Sequence, residues 1–247
     1  MKAIILAAGR GSRLKGITDD RPKCLSIVRG MTMLESQLSV LKTGGVDEII
    51  IVTGYKNQVL EMFGCRTVHN LQWEETNMVV SLLCASEEFA HGAIVSYSDI
   101  IYGKDIVSQL AKRTEDIVIV YDRDWKRLWE LRFEDPLQDA ESFVIDSDGR
   151  IRDIGRKVQS LEDVQGQYTG LMRFSKKAFE WIEDFCDRQP EKVLHKMDMT
   201  TMLRSLIKER YPVYGMAIDG GWCEIDTETD LALANRLCAE GRLDFCG

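Results

Sequence analysis

The chain has 247 residues, 45% of them hydrophobic and 29% charged, with a formal net charge of −8. That length and mix suit one large globular domain. The acidic balance argues against a general nucleic-acid binder or an anionic-membrane binder, because both favour basic surfaces. Three histidines, His69, His91 and His195, are too few and too scattered for a zinc site. The cysteines, Cys24, Cys65, Cys84, Cys186, Cys223, Cys238 and Cys246, form no CxxC pair and are odd in number. They read as reduced thiols, mostly core or partly buried, in a cytoplasmic protein. No apolar run approaches transmembrane length, and the N-terminus reads as a strand rather than a signal sequence.

In chain order, Ala3–Leu6 is a short apolar strand. Residues 31–42 put Leu34, Leu38 and Leu41 on one helical face and end at Gly44-Gly45. Residues 48–53 (EIIIVT) form a second buried strand, followed at once by Gly54-Tyr55. A short strand over 67–70 leads to a helix over 77–89 that Asn77 can cap. The strand over 93–97 ends in Ser98-Asp99, a helix spans 105–112, and residues 116–121 (DIVIVY) form the next strand. Continuous β-branched runs separated by ten-residue helices predict a mostly parallel sheet with helices on both faces.

After Tyr121 the rhythm changes. Residues 122–139 carry two tryptophans and dense alternating charge. Strands over 142–146 and 151–154 flank Asp148-Gly149, a hairpin signal. A strand follows over 167–174, then helices over 175–187 and 200–210, a strand over 213–217 and a closing helix over 227–239. Thr227 with Asp230 three residues on forms the pattern of a capping box. There is no repeat, low-complexity tract or linker. The expected organisation is one domain over 1–247 with two lobes, residues 1–121 and 122–247, the second adding antiparallel strands over one edge of the sheet.

The most informative segment is Leu6-Ala7-Ala8-Gly9-Arg10-Gly11-Ser12-Arg13, followed ten residues after Arg13 by Lys23 within Arg21-Pro22-Lys23. A hydrophobic strand runs into a turn of small residues, and cations follow within a loop's reach. Small residues let backbone N–H groups approach phosphate oxygens, and Arg13 and Lys23 add charge, so the segment reads as a cradle for a nucleoside triphosphate. It is not the dinucleotide fingerprint, since Leu14 stands where the third glycine belongs, and it lacks the Gly-Lys-Ser/Thr ending of a Walker loop. Cys24, directly after Lys23, is expected in the core rather than as a reactive thiol.

The stretch L-A-A-G-R-G-S-R…R-P-K resembles the signature of the nucleotidyltransferases that activate sugar phosphates and related phosphorylated alcohols. Further matching points, in family order, are Val52-Thr-Gly54-Tyr55, Tyr97-Ser98-Asp99, Gly155-Arg-Lys157, Gln167-Tyr168-Thr-Gly170 and Gly221-Trp222-Cys-Glu224-Ile-Asp226. The resemblance implies a Rossmann-like, nucleotide-diphospho-sugar-transferase-like α/β fold with a smaller antiparallel acceptor-binding lobe. It also implies Mg²⁺ held by Asp99 and Asp226, with Glu224 as a third ligand or a partner behind them, because Mg²⁺ prefers carboxylate, phosphate and water oxygens. As plain structural residues, Asp226 would cap the helix after Thr227 and Asp99 the helix near Lys104. Lys23 and Lys157 are similar to the family's two phosphate lysines, for nucleotide and acceptor respectively.

Around the base, Trp73-Glu-Glu-Thr76-Asn77 stands where the uridylyl- and thymidylyltransferases carry Gln-Pro-x-Gly-Leu. It is more similar to the phosphocholine cytidylyltransferase branch, so CTP is expected over UTP. Nucleotide contacts are expected from Leu6, Ala7, Ala8, Gly9, Gly11, Ser12, Gly54, Thr76, Asn77 and Ser98. Trp125 and Trp129, four apart, share a helical face and either wall a pocket for a small cationic group or pack the helix onto the sheet. Arg127 and Arg132 offer a grip for an acceptor carboxylate or phosphate. Acceptor contacts are expected from Trp129, Arg132, Glu141, Tyr168, Gly170 and Trp222. The expected reaction joins CMP from CTP to a small phosphorylated or phosphonylated acceptor such as phosphocholine, 2-aminoethylphosphonate or glutamine phosphate. A sugar-1-phosphate uridylyl- or thymidylyltransferase is the alternative, and a non-catalytic nucleotide sensor is an alternative of another class. A homodimer through the second-half strands is compatible with the pattern.

Overall fold

The computed structural model describes residues 1–243, so Cys246 lies outside the described residues. A seven-stranded sheet runs in the order Val213–Ile218, Ile117–Asp122, Gln167–Phe174, Ala93–Tyr97, Lys2–Ala7, Glu48–Thr53, Arg66–His69. Lys2–Ala7 pairs parallel with both Glu48–Thr53 and Ala93–Tyr97, as the β-branched runs predict. Gln167–Phe174 is the exception: it lies antiparallel between Ala93–Tyr97 and Ile117–Asp122. The second half therefore adds one strand at an edge, Val213–Ile218, which runs parallel to Ile117–Asp122, and inserts another, Gln167–Phe174, into the sheet's middle. The sequence of the inserted strand, QYTGLMRF, mixes polar and apolar residues and carries no sign of which strands it pairs with or in which direction.

Neighbouring residues on each strand feed opposite faces. Ile5, Ile51, Val118 and Leu171 pack with Leu34, Leu38 and Leu41 of the helix Met33–Thr43, with the helix Lys104–Ala111 and with the closing helix Glu228–Ala239. Ile4, Ile50, Val95 and Met172 pack with helices Met78–Cys84, Lys176–Asp187 and Met199–Lys208. Helix starts follow their caps. Thr32 makes a capping box with Glu35, and Thr227 makes the expected one with Asp230. The helix foreseen over 77–89 stops at Cys84 and continues as a 3-10 turn, Ser86–His91.

Two small pairings shape the site. Glu141–Ile145 and Ile151–Lys157 form the hairpin predicted around Gly149, which takes φ +78°. Ile100–Tyr102 pairs antiparallel with Trp222–Glu224, and the Ile225 N–H donates to the Asp99 carbonyl at 2.9 Å. This short ladder carries Asp226 to the C-terminal end of the sheet beside Asp99, where open α/β sheets bind ligands.

Candidate active site

Strand Lys2–Ala7 is followed by Ala8, and the turn Gly9–Gly11 leads into a 3-10 helix, Ser12–Thr18. Gly11 has φ +72°, and a Cβ there would lie 2.5 Å from the Cβ of Lys23. Only glycine fits both the left-handed backbone and the close passage of the lysine stem. Gly54 supports the turn from behind: a Cβ there would sit 2.5 Å from the Ala8 carbonyl oxygen, which accepts from the Tyr55 N–H at 2.9 Å.

Lys23 is 7% exposed. Its ammonium donates to Asp99 Oδ2 at 2.9 Å and to Asp226 Oδ1. Burial works against the charged ammonium, but Asp99 and Asp226 outweigh it and hold the Lys23 pKa above the usual lysine value. Arg13 donates to the other oxygen of Asp226 at 2.9 Å from an exposed position. Asp99 sits in a turn fixed by two buried side chains. Gln37 donates to the carbonyls of Tyr97 at 2.9 Å and Ile100 at 2.5 Å, and the Tyr102 hydroxyl donates to Ser96 at 3.0 Å.

Two clefts meet at this junction. The first, of about 210 Å³, is lined by Leu6, Ala8, Gly9 and Gly11 from the turn, by Lys23, Ser98 and Asp99, and by Thr76 and Asn77. Ala7 is buried in its strand, Ser12 is exposed at the start of the 3-10 helix, and Gly54 lies behind the turn, so these three do not line it. Trp73, Met78 and Ser81 also line it. Asn70, 2% exposed, ties this wall together: its amide donates to Thr76 at 3.1 Å and Ser81 at 3.0 Å. Nothing in the sequence marks Asn70, because a polar residue before a turn looks like ordinary turn chemistry.

The second cleft, about 310 Å³, is lined by Arg13, Trp129, Glu141, Tyr168, Gly170, Trp222, Glu224 and Asp226. Gly170 has φ +82° at a register shift in strand Gln167–Phe174, and a Cβ there would lie 2.7 Å from the Tyr97 ring. Asn77 and Met78 border both clefts. Arg132 and Lys157 line neither. The Arg132 side chain is 1% exposed and engaged by carboxylates, whereas Lys157 is exposed at the end of its hairpin strand. Trp125, 4% exposed, packs edge-on against Trp129 with ring centres 5.9 Å apart. One tryptophan thus reaches the cleft and the other supports it.

Asp139, Asp198 and Thr200 line the second cleft without having been foreseen. Asp198 caps the helix Met199–Lys208, accepting from the Thr201 N–H at 2.7 Å, and an aspartate directly before a helical run is the signal that marks it. Burial raises the carboxyls of both Asp139 and Glu141, and the charges of Asp198 and Asp139 push Glu141 further. Glu224 is pushed up to about 7, first by burial and then by the charge of Asp226. Aromatic rings and crowded carboxylates make a cleft that favours a cationic group.

A family model described as MobA-like NTP transferase domain matches residues 3–207. The chain belongs to the MobA-like NTP transferase family. It is 36% identical over 248 residues to a CTP:phosphoglutamine cytidylyltransferase of Campylobacter jejuni, covering 94% of this chain and 98% of that one. It is 32% identical over 155 residues to a choline-phosphate cytidylyltransferase of Streptococcus pneumoniae, covering 61% of this chain and 67% of that one. The solved structure of the CTP:phosphocholine cytidylyltransferase from Streptococcus pneumoniae superimposes with a TM-score of 0.74 at 26% identity, over 96% of this chain and 98% of that one. The chain thus has the nucleotide-diphospho-sugar transferase fold that the motifs implied. None of its described helices is long and apolar enough to cross a membrane.

Three carboxylates at the junction of the clefts suit a divalent ion. Asp99, Glu224 and Asp226 each offer an oxygen within 4.8 Å of the others. Asp99 Oδ1 is buried and has no hydrogen-bond partner among the described residues. A buried carboxylate oxygen left unpaired is costly, and a hard cation is the partner it suits.

Proposed function

We propose that the protein transfers CMP from CTP to the phosphate or phosphonate of a small acceptor bearing a cationic amino group, with release of pyrophosphate. The first cleft takes CTP, with the base toward Thr76 and Asn77 and the triphosphate along Gly9–Gly11 and Lys23. The second takes the acceptor. The carrying observation is that the two clefts meet at Lys23, Asp99 and Asp226, while the second is walled by Trp129, Tyr168, Asp139, Glu141 and Asp198. Cytidylyltransfer is supported by the named activities of the relatives. A phosphorylated amino acid ranks first among acceptors because the phosphoglutamine relative matches along nearly its whole length.

An acceptor phosphate has a second pKa of ~6, so its oxygen is already anionic at neutral pH and needs no general base. Absence of histidine from either cleft lining agrees with that. The demand is instead that two anions approach each other. Arg13 and Lys23 face the developing charge, and Lys23, held between two aspartates, is already aligned for the triphosphate. Asp99, Asp226 and Glu224 would hold Mg²⁺, which when bound supplies further charge neutralisation at the α-phosphate. The attacking oxygen displaces pyrophosphate in line, and the rigid turn at Gly11 orients the leaving group.

The test is a pyrophosphate-release screen crossing CTP, UTP, dTTP, ATP and GTP with glutamine phosphate, phosphocholine, 2-aminoethylphosphonate and sugar 1-phosphates. Turnover confined to CTP with an amino-bearing acceptor is the expected result. Preference for UTP or dTTP with a sugar phosphate would replace this reading with sugar-phosphate activation.

A further inference from the structure

Helix Trp125–Arg132 ends on a guanidinium that does not reach the acceptor cleft. Arg132 Nε donates to Asp230 Oδ1 and Nη1 donates to Glu224 Oε2, each at 2.9 Å. The second oxygen of Asp230 accepts from the Asp226 N–H at 3.1 Å, and from the N–H and hydroxyl of Thr227 at 2.9 Å. One side chain therefore holds Glu224 directly and Asp226 through Asp230 and the backbone. The guanidinium carbon also lies 5.1 Å from the ring centres of Trp129 and Phe133, which fixes it against the wall of the acceptor cleft.

We propose that Arg132 is a positioning residue: its fork sets the spacing of Glu224 and Asp226 for divalent-ion binding. The proposal rests on the reading that Asp99, Glu224 and Asp226 hold that ion. A planar guanidinium satisfies two carboxylates at fixed angles, which a point-charged ammonium does not. Were Arg132 only a clamp joining its helix to Asp230 of the closing helix and Glu224 of the strand Trp222–Glu224, its loss would lower stability and leave ion affinity alone.

The experiment titrates the full chain with Mn²⁺ alone, by calorimetry or by loss of the free-ion paramagnetic signal, for wild type, Arg132→Lys and Asp230→Asn. Melting temperature and CTP affinity in chelator are measured alongside. Outer-shell partners of ligating groups typically contribute ~10–100-fold in metal affinity, so Arg132→Lys should weaken Mn²⁺ by about that factor while CTP affinity in chelator stays unchanged. Asp230→Asn should weaken it less, because the Glu224 contact survives; if Arg132→Lys fails to fold, this variant decides. Unchanged Mn²⁺ affinity in a folded variant overturns the proposal. Absence of Mn²⁺ binding by the wild type overturns both the ion reading and the bracket. A chain that binds Mn²⁺ with the expected variant effects yet turns over no nucleotide keeps the bracket and loses only the proposed reaction.

Discussion

The first cleft draws its walls from short runs of chain: residues 6–11, Lys23, residues 73–81 and residues 98–99. The second gathers residues from 13, 77–78, 97, 129, 139–141, 167–170, 198–200 and 222–226. The nucleotide side is thus a turn and a helix entrance, stiffened by Gly11 against Lys23 and by Asn70 behind Thr76. The acceptor side is an assembly of strand, hairpin and helix ends that exists only when the inserted strand Gln167–Phe174 is in place. On the proposed assignment, a local device would hold the nucleotide, while a dispersed one would be free to vary with the acceptor.

The largest effect should come from the junction that both clefts share. Asp99→Asn keeps the shape of the turn but removes one charge and one hard ligand, so turnover should nearly vanish while the melting temperature in metal-free buffer changes little. Normal pyrophosphate release by a folded Asp99→Asn protein would dismiss the ion reading and leave the clefts without a common chemistry. Next comes Lys23→Met, where turnover should fall about 10²–10³-fold, judged by losses of single charge-stabilising donors. A loss confined to the KM for CTP would show that Lys23 holds the ground state only.

On the acceptor side the effect should be smaller and should fall on one substrate. Glu141→Gln removes a carboxylate from the cationic subsite and should raise the acceptor KM about tenfold, the equivalent of ~1.4 kcal/mol, with the CTP KM unchanged. The pH dependence follows from the same group. Burial, with the charges of Asp198 and Asp139, raises Glu141 above the usual carboxylate range, and burial raises Asp139 as well. Acids shifted upward take on protons early as pH falls, so affinity for an amino-bearing acceptor should be lost on acidification before CTP affinity is. An acceptor with the same phosphate but no amine isolates this from titration of the phosphate, whose second pKa is ~6. Parallel loss for both acceptors would remove the cationic subsite from the comparison.

What the sequence let one read follows the same division. Leu6 to Arg13, with Lys23 ten residues on, and Tyr97-Ser98-Asp99 are short local runs, and the parallel strands announced themselves by continuous β-branched runs. Arg132 was visible as a cation near aromatics, but a helix end carries no sign of whether it faces ligand or carboxylates. Gln37 and Asn70 were silent, since a buried polar residue that braces a turn has the same letter as one in solvent. Lys157 stood in a motif-like run, and its exposed place at the end of the hairpin depends on how the bulged pairing with Glu141–Ile145 closes.

The smallest effect is a test of how rigid the nucleotide side is. Cys24 follows Lys23 directly, is 1% exposed, and burial pushes its thiol up to about 12. Cys84, at the end of the helix Met78–Cys84 that leaves the same cleft, is exposed, and Cys65 is half-buried. Thiolate is the reactive form, so among the described cysteines a maleimide or iodoacetamide at neutral pH should mark Cys84 first and Cys65 more slowly, with Cys24 unmodified on that timescale. Peptide mapping by mass spectrometry reads each site separately. Modification at Cys84 should leave turnover nearly intact, because its side chain lines neither cleft. Rapid modification of Cys24, suppressed by CTP, would mean that the turn opens before the nucleotide arrives. The contrast between a preformed nucleotide cleft and an assembled acceptor cleft would then have to be redrawn.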